Sequence, residues 1–128
     1  KVKESIALEI PDNLEVAAQN PLNLLEIYKQ LDLTDVDVLV VSACVQMPSL
    51  EAIDLIQAEC GIPVTSAAVC TTYEMMKKLG IEAKSAIGGE LLSGKYWFKS
   101  NENIIVKVIK EFKFELFFYL LINIDSQP

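Results

Sequence analysis

The sequence contains no histidine among its 128 residues and only three cysteines, Cys44, Cys60 and Cys70. The absence of histidine excludes catalytic triads built on an imidazole and removes the commonest zinc ligand. The three cysteines form no C-x-x-C pair, so we predict no metal site. Any acid–base chemistry must therefore come from cysteine, tyrosine, lysine or carboxylate side chains.

An excess of basic residues and long apolar runs are also absent. The formal net charge is −7, whereas nucleic-acid binders usually carry a basic face, so we expect no nucleic-acid partner. No stretch reaches the roughly 18 apolar residues of a membrane helix, and no signal-peptide pattern opens the chain. An odd number of cysteines in an acidic chain of this kind suggests reduced thiols and a cytoplasmic location. Because the chain starts at Lys1 rather than Met, we expect that residues precede it.

What the sequence does contain is an alternation of helix and strand patterns. Hydrophobic residues make up 52% of the chain, enough for one domain with a sizeable core. Apolar spacing and turn residues predict a short strand within residues 2–10 and a helical turn at 14–19. They also predict helices at 21–31, 50–59 and 67–79, and strands at 37–43 and 62–66. Such alternation is typical of a layered α/β fold with a parallel sheet.

Particular residues are expected to bound and orient two of these helices. Ser49 is the expected N-cap of the helix at 50–59, and Gly61 its end. Leu55 is expected on the apolar side of that helix, and Leu79 on the inward side of the helix at 67–79.

The composition changes after Lys95. Residues 104–124 are apolar with interspersed lysine and glutamate, and their spacing fits a helix in one part and a strand in another. Residues 117–122 form an apolar block without charge, which must be buried to avoid aggregation. We therefore divide the chain into a lobe at 1–95 and an atypical extension at 96–128, packed on the same lobe.

Cys44 lies where a buried parallel strand should end. The strand at 37–43 leads into Cys44, a polar turn follows, and a helix begins near Leu50. In open α/β sheets, ligands bind at the carboxyl ends of strands. A thiol close to the start of a helix is favoured as thiolate by backbone N–H groups and by the positive end of the helix. This position points to cysteine chemistry on a small anion.

The segment at 89–96 fits the spacing G-x-x-x-x-G-K of a phosphate-binding loop. Tyr96, however, stands where Ser or Thr would hold magnesium, and neither a clear strand before it nor a clear helix after it is predicted. We expect this segment to be a hydrophobic turn packed on the sheet.

Three segments resemble the C-terminal half of the maleate cis-trans isomerases, members of the Asp/Glu racemase superfamily that also contains the arylmalonate decarboxylases. They are Asn13-Leu14-Glu15-Val16, the run from Ser42 through Cys44-Val45-Gln46-Met47-Pro48-Ser49 to Leu50, and the run Gly61-Ile62-Pro63-Val64-Thr65-Ser66-Ala67-Ala68. The resemblance covers about residues 7–95. It implies a flavodoxin-like, three-layer lobe with a parallel sheet, the C-terminal half of a two-lobe fold.

The same resemblance implies roles for individual residues. In this family each lobe offers one cysteine to a site between the lobes; the N-terminal cysteine attacks the double bond and the other handles the proton or assists the intermediate. Cys44 corresponds to the second, catalytic cysteine. Asn13 corresponds to an asparagine that binds a substrate carboxylate, and backbone N–H groups from Val45 onward would help to bind it. No cofactor is implied. The chain offers no second strand-end cysteine, so the nucleophilic lobe would precede Lys1.

The implied reaction is isomerisation of a small dicarboxylate, maleate to fumarate, and the chain alone should not carry it out. Two alternatives stay open. One is a related reaction on the same scaffold, either amino-acid or hydantoin racemisation or malonate decarboxylation, although Met47-Pro48-Ser49-Leu50 favours the isomerase branch. The other is a non-catalytic lobe. A surface made to face another lobe makes a homo-oligomer plausible, and no membrane partner is expected.

Overall fold

A computed structural model of the protein describes residues 1–96. The described chain is an α/β unit in which two parallel strands alternate with helices. The strands are β1 (Leu39–Ser42) and β2 (Val64–Ser66), and the α-helices are α1 (Asn13–Ala17), α2 (Leu24–Ile27), α3 (Leu50–Cys60) and α4 (Ala67–Lys78). Short 3-10 turns flank α2 at Pro21–Asn23 and Tyr28–Gln30, and another lies at Glu90–Leu92. The predicted α/β class with a parallel sheet is confirmed.

Strands β1 and β2 lie side by side in parallel, with Leu39 opposite Val64 and Val40 opposite Thr65. The register shifts between Val40 and Ser42, so that Ser42 pairs with Ser66. Among residues 1–96 no third strand joins this sheet. The helix between two parallel neighbouring strands, α3, is the crossover that parallel pairing requires. The carboxyl ends of both strands consequently lie together.

The core is built around β2 and the helices on either side of it in the sequence. Ile53 and Ile56 of α3, Val64 of β2 and Tyr73 of α4 are all buried. Removing an aliphatic side chain of this size from water contributes about 1.5–3 kcal/mol. Because α3 and α4 both contact β2, these side chains fix the strand whose end lies beside that of β1.

The helices differ from their predictions in how they end and in what they expose. Gly61 ends α3 in the left-handed conformation, as predicted. Ser49 precedes α3, but its side chain makes no capping hydrogen bond, so the predicted N-cap is wrong in its chemistry. Leu55 is exposed and Leu79 is 70% exposed, which contradicts their predicted inward orientation. Ala52 of α3 and Cys70 of α4 are buried.

The region predicted as one helix at 21–31 is a succession of 3-10, α and 3-10 turns over residues 21–30. Asn20 begins it by accepting a hydrogen bond from the N–H of Leu22, and Pro21 occupies the first turn. Residues 2–10 form no strand, which contradicts that prediction. A strand needs a partner for its backbone groups, and this segment is held instead through side chains of Lys3 and Glu4. The predictions for residues 104–124 lie outside the described residues.

Candidate active site

The loop after β1 presents Cys44 to solvent. β1 ends at the buried Ser42, and the next four residues, Ala43 to Gln46, are exposed before the chain turns inward at Met47. The structure therefore places Cys44 where the sequence predicts it, at the carboxyl end of a parallel strand.

Two hydrogen bonds hold the cysteine in this loop. The Ser42 hydroxyl donates to the backbone carbonyl of Cys44 at 2.6 Å. The Cys44 thiol donates to Oε1 of Gln46 at 3.8 Å, within the range for sulfur. Neither Ser42 nor Gln46 is predicted from the sequence to contact the cysteine. The sequence feature that could have indicated these contacts is spacing. Each residue lies two positions from Cys44, a separation at which side chains in turns often form local hydrogen bonds.

The other two cysteines have structural surroundings. Cys60, half-buried at the end of α3, donates to the carbonyl of Ile62 at 3.7 Å. Cys70 is buried inside α4, with its sulfur 3.4 Å from the Thr65 hydroxyl. Burial raises the pKa of the Cys70 thiol, an effect that the hydrogen bond with Thr65 opposes. Of the three cysteines, only Cys44 is exposed.

Asn13 is the first residue of α1, and its side chain is exposed. Asp12 caps this helix by accepting from the N–H groups of Leu14, at 2.6 Å, and Glu15, at 3.3 Å. Val45 is 56% exposed and follows Cys44 directly. The structure thus leaves both side chains accessible, that of Asn13 at the start of α1 and that of Val45 in the loop after β1. No hydrogen bond joins Asn13 to Cys44 in the described part of the chain.

A cavity of about 780 Å³ lies beside β1 and reaches Cys44. It is lined by the N-terminal segment, by the turns around α2, by β1 and by Val16 of α1. Asn13 and Val45 are not among its lining residues. The cavity therefore connects the cysteine to α1 through Val16, while the carboxylate-binding residues expected from the sequence stand outside it.

The N-terminal segment is fastened along this cavity by charge. Lys3 donates to the carboxylate of Asp32 at 2.8 Å and to the carbonyl of Thr34, and Glu4 accepts from the backbone N–H of Asp32 at 2.8 Å. The hydrogen bond from Lys3, followed by those from Thr34, holds the pKa of the Asp32 carboxyl well below its usual range. These contacts fix the segment without a strand.

The segment at 89–96 is not arranged to bind phosphate. Backbone N–H groups at its start already donate to side chains of α3: those of Gly88 and Gly89 to Asp54, at 3.2 and 2.9 Å, and that of Glu90 to Gln57, at 3.1 Å. Leu91 and Leu92 are buried. The predicted hydrophobic turn is confirmed. Within residues 1–96 no cluster of cysteine, aspartate or glutamate has the arrangement of a metal site, and no helix there is long and apolar enough to cross a membrane.

No family model matches the chain. Curated relatives do match, among them the maleate isomerase of Geobacillus stearothermophilus, which is 53% identical over 96 residues, 75% of this chain and 38% of the relative. The maleate isomerase of Alcaligenes faecalis is 53% identical over 94 residues, 73% of this chain and 37% of the relative. The chain therefore spans about two fifths of the length of these relatives.

Solved structures show the same similarity in three dimensions. A Pseudomonas putida maleate isomerase, in a cysteine-to-alanine variant with maleate, has a TM-score of 0.68 and 50% identity, covering 70% of this chain and 36% of that one. A Nocardia farcinica maleate cis-trans isomerase, in a cysteine-to-serine variant with a covalently bound succinylcysteine intermediate, has a TM-score of 0.66 and 38% identity. That match covers 71% of this chain and 37% of the other.

Proposed function

This chain belongs to the maleate isomerase family, and from that membership we propose that it forms the cysteine-bearing C-terminal lobe of an enzyme that converts maleate to fumarate. The observation that carries the proposal is the exposed thiol of Cys44 at the end of β1, in a fold shared at about 50% identity with maleate isomerases. The relatives reported above are all maleate isomerases, so nothing favours racemisation or decarboxylation over isomerisation.

Covalent addition to the double bond explains how such a reaction proceeds. A thiolate forms a C–S bond to one alkene carbon, and the π electron pair moves to the neighbouring carbon, where it takes up a proton. The former double bond is then a single bond and can rotate, after which loss of the proton and of the thiolate restores an alkene with the other geometry. A succinylcysteine is the protonated adduct that this sequence of steps requires.

The Nocardia farcinica intermediate supports the use of two cysteines. The adduct exists in a variant in which one cysteine is replaced by serine, so a different cysteine of that enzyme carries the succinyl group. In this chain we assign to Cys44 the role of the second thiol, which delivers and removes the proton, and we assign the nucleophile to another lobe. The division into a lobe at 1–95 and an extension at 96–128 is part of this proposal.

The carboxylates of the substrate need donors. We propose that the side-chain amide of Asn13 and the backbone N–H of Val45 bind them, because the side chain of Asn13 is exposed and Val45 directly follows Cys44 in an exposed loop. The mechanism uses no cofactor, since the thiols themselves supply nucleophile and proton.

Three unpaired cysteines suit a reducing compartment such as the cytoplasm. Exposed apolar side chains such as Leu14, 80% exposed, suit assembly into a homo-oligomer.

A chimeric enzyme tests the proposal. The matching part of the Geobacillus stearothermophilus maleate isomerase is replaced by residues 7–95 of this chain, and fumarate formation from maleate is measured. We expect turnover by the chimera and none by the chain alone. Cys44→Ser should lower kcat about 100-fold or more, the usual contribution of a positioned proton donor. Asn13→Ala should mainly raise KM.

The matched control is Cys60→Ser, which changes a half-buried thiol outside the site and should leave kcat within a few-fold. Circular dichroism of each variant verifies that it folds. Full activity of the Cys44→Ser chimera would overturn the assignment of Cys44. Turnover by the chain alone would overturn the need for a second lobe.

A further inference from the structure

The loop that carries Cys44 constrains both the backbone and the side chain of this residue. Ser42, which is 5% exposed, donates to its carbonyl, and Gln46 accepts from its thiol. The two partners stand symmetrically, two residues before and two residues after the cysteine. Catalytic side chains lose efficiency when they are misplaced by as little as about 1 Å, so contacts that fix a thiol at an exposed position bear on what that thiol can do.

The contact from Ser42 explains why the loop has a defined shape. At 2.6 Å its hydroxyl closes a turn on the Cys44 carbonyl directly at the end of β1, where the register with β2 has just shifted. Irregular pairing of this kind re-aims side chains at the ends of strands. Because Ser42 is buried, it anchors the turn to the sheet, and the backbone of Cys44 follows the sheet rather than moving freely.

The contact to Gln46 acts on the thiol itself. The sulfur lies 3.8 Å from Oε1, with the amide oxygen as acceptor and the thiol as donor. An acceptor can bond the protonated thiol but not the thiolate, and a hydrogen bond to the neutral form of an acid opposes its ionisation. Gln46 is exposed, so it can turn away when the proton is transferred. This arrangement fits a thiol that gives a proton better than one that attacks carbon.

We propose that Gln46 is a positioning residue for Cys44: its amide oxygen holds the thiol in one orientation and in the protonated form, ready to deliver its proton. The relevance to catalysis rests on the proposed function, in which Cys44 is the proton-handling thiol. The proton then passes from sulfur to the substrate carbon, the S–H bond breaking as the C–H bond forms, and Cys44 is left as the thiolate that takes the proton back when the alkene is restored.

Charged groups around the cavity set the background on which Gln46 acts. The charged residues that line it together with Cys44 are Lys1, Lys3, Glu4, Glu9, Asp32, Asp35 and Asp37. None of these positions changes in a Gln46 variant, so a difference between the variant and the parent chain reports on Gln46.

The test is the rate at which iodoacetamide alkylates Cys44 in the full chain, followed by mass spectrometry between pH 6 and 10. For Gln46→Ala we expect the pH of half-maximal rate to fall by about 0.5 unit, as expected when one weak hydrogen bond to the thiol is lost. For Gln46→Glu we expect it to rise, because a carboxylate keeps the acceptor and adds a negative charge beside the thiolate. Gln30→Ala, at an exposed glutamine of the turn after α2, is the matched control and should leave the profile unchanged.

An unchanged profile in Gln46→Ala would overturn the proposal. A rise in that variant would overturn it too, because the amide would then be donating N–H to the thiolate. Alkylation requires no turnover, so this result is independent of the chimera experiment. A shifted profile with an inactive chimera would retain the role of Gln46 toward the thiol and reject the isomerase.

Discussion

Glu90 shows how one carboxylate can depend on its neighbours. Oε1 of Glu90 accepts from the ammonium group of Lys95 and, at 2.8 Å, from the hydroxyl of Tyr96. The hydrogen bond from Lys95 is the largest influence on the Glu90 carboxyl and lowers its pKa, while burial acts in the opposite direction. Burial and the same carboxylate raise the pKa of Tyr96. This cluster closes the described part of the chain onto the 3-10 turn at Glu90–Leu92.

Replacing Glu90 by glutamine should destabilise the protein in a pH-dependent way. A carboxyl with a lowered folded-state pKa contributes stability above its unfolded pKa, about 4.3, and that contribution is lost as the pH falls through the folded value. We expect Glu90→Gln to lower the free energy of unfolding by about 1 kcal/mol at pH 7, since the pair is partly exposed. The difference should shrink as the pH falls below about 4.3.

Urea unfolding at pH 7, 5 and 3 measures this difference. Glu26→Gln is the control, because Glu26 pairs with Lys29 on the surface and its side chain is 80% exposed. It should change the unfolding free energy by less than about 0.5 kcal/mol at every pH. A Glu90→Gln deficit that stays constant from pH 7 to pH 3 would show that packing, rather than the charge, is responsible.

At the scale of residues, the sequence predicted where a residue lies along the fold better than whether its side chain faces the core or the solvent. Cys44 was identifiable because a buried strand followed by a helix start leaves few other places for the loop residue. The burial of Leu55 and Leu79 was predicted wrongly because helical periodicity gives a face but not its width. The bond between Cys44 and Gln46 depends on the turn that Ser42 closes, and no periodic pattern encodes that turn. The functional roles of Cys44, Asn13 and Val45 stay predictions.

At the scale of elements, the segment after α4 is secured to α3 rather than folded by itself. Asp54 and Gln57 together accept four backbone hydrogen bonds, from Val64, Gly88, Gly89 and Glu90. Gln57 therefore joins β2 and the 3-10 turn through one amide oxygen. Gly89 passes so close to α3 that a Cβ atom would lie 2.8 Å from Ile53 and 2.7 Å from the carbonyl of Val64.

Two glycines with similar positive φ angles should respond differently to alanine. Gly61, with φ 74° and ψ 5°, is left-handed, and alanine there is strained by about 1 kcal/mol. Gly89, with φ 72° and ψ −167°, lies in a region essentially restricted to glycine, where the strain on alanine is about 1–3 kcal/mol. At Gly61 a Cβ would meet nothing within 4 Å, and we expect that cost alone. At Gly89 the clash adds about 1–3 kcal/mol and weakens the hydrogen bonds to α3. Urea unfolding of Gly61→Ala and Gly89→Ala at pH 7 compares them.

Equal losses of unfolding free energy for the two variants would contradict the close approach of the 3-10 turn to α3.

The ends of helices were predictable here because Gly61 and Pro21 have local conformational requirements. The strand at 2–10 was predicted wrongly because pairing is not local: a strand forms only where another strand offers its backbone groups. For the same reason, the strand predicted at 62–66 is two residues longer than β2, which begins at Val64.

At the scale of the whole molecule, the described chain has a defined core and one accessible thiol. The family and the α/β class could be predicted from the loop after β1 and from the alternation of elements, and the relatives at about 50% identity confirm both. The arrangement of the N-terminal segment along β1 could not, because it depends on the contacts among Lys3, Glu4 and Asp32.

The central claim is that the fold presents the sulfur of Cys44 to an incoming reagent while packing protects the other two. Brief treatment of the native chain with iodoacetamide, followed by peptide mass spectrometry, measures the three alkylation rates in one sample. We predict that Cys44 reacts at least about tenfold faster than the buried Cys70, with Cys60 between them, and that urea removes the difference. Native-state alkylation of Cys44 as slow as that of Cys70 would contradict the account.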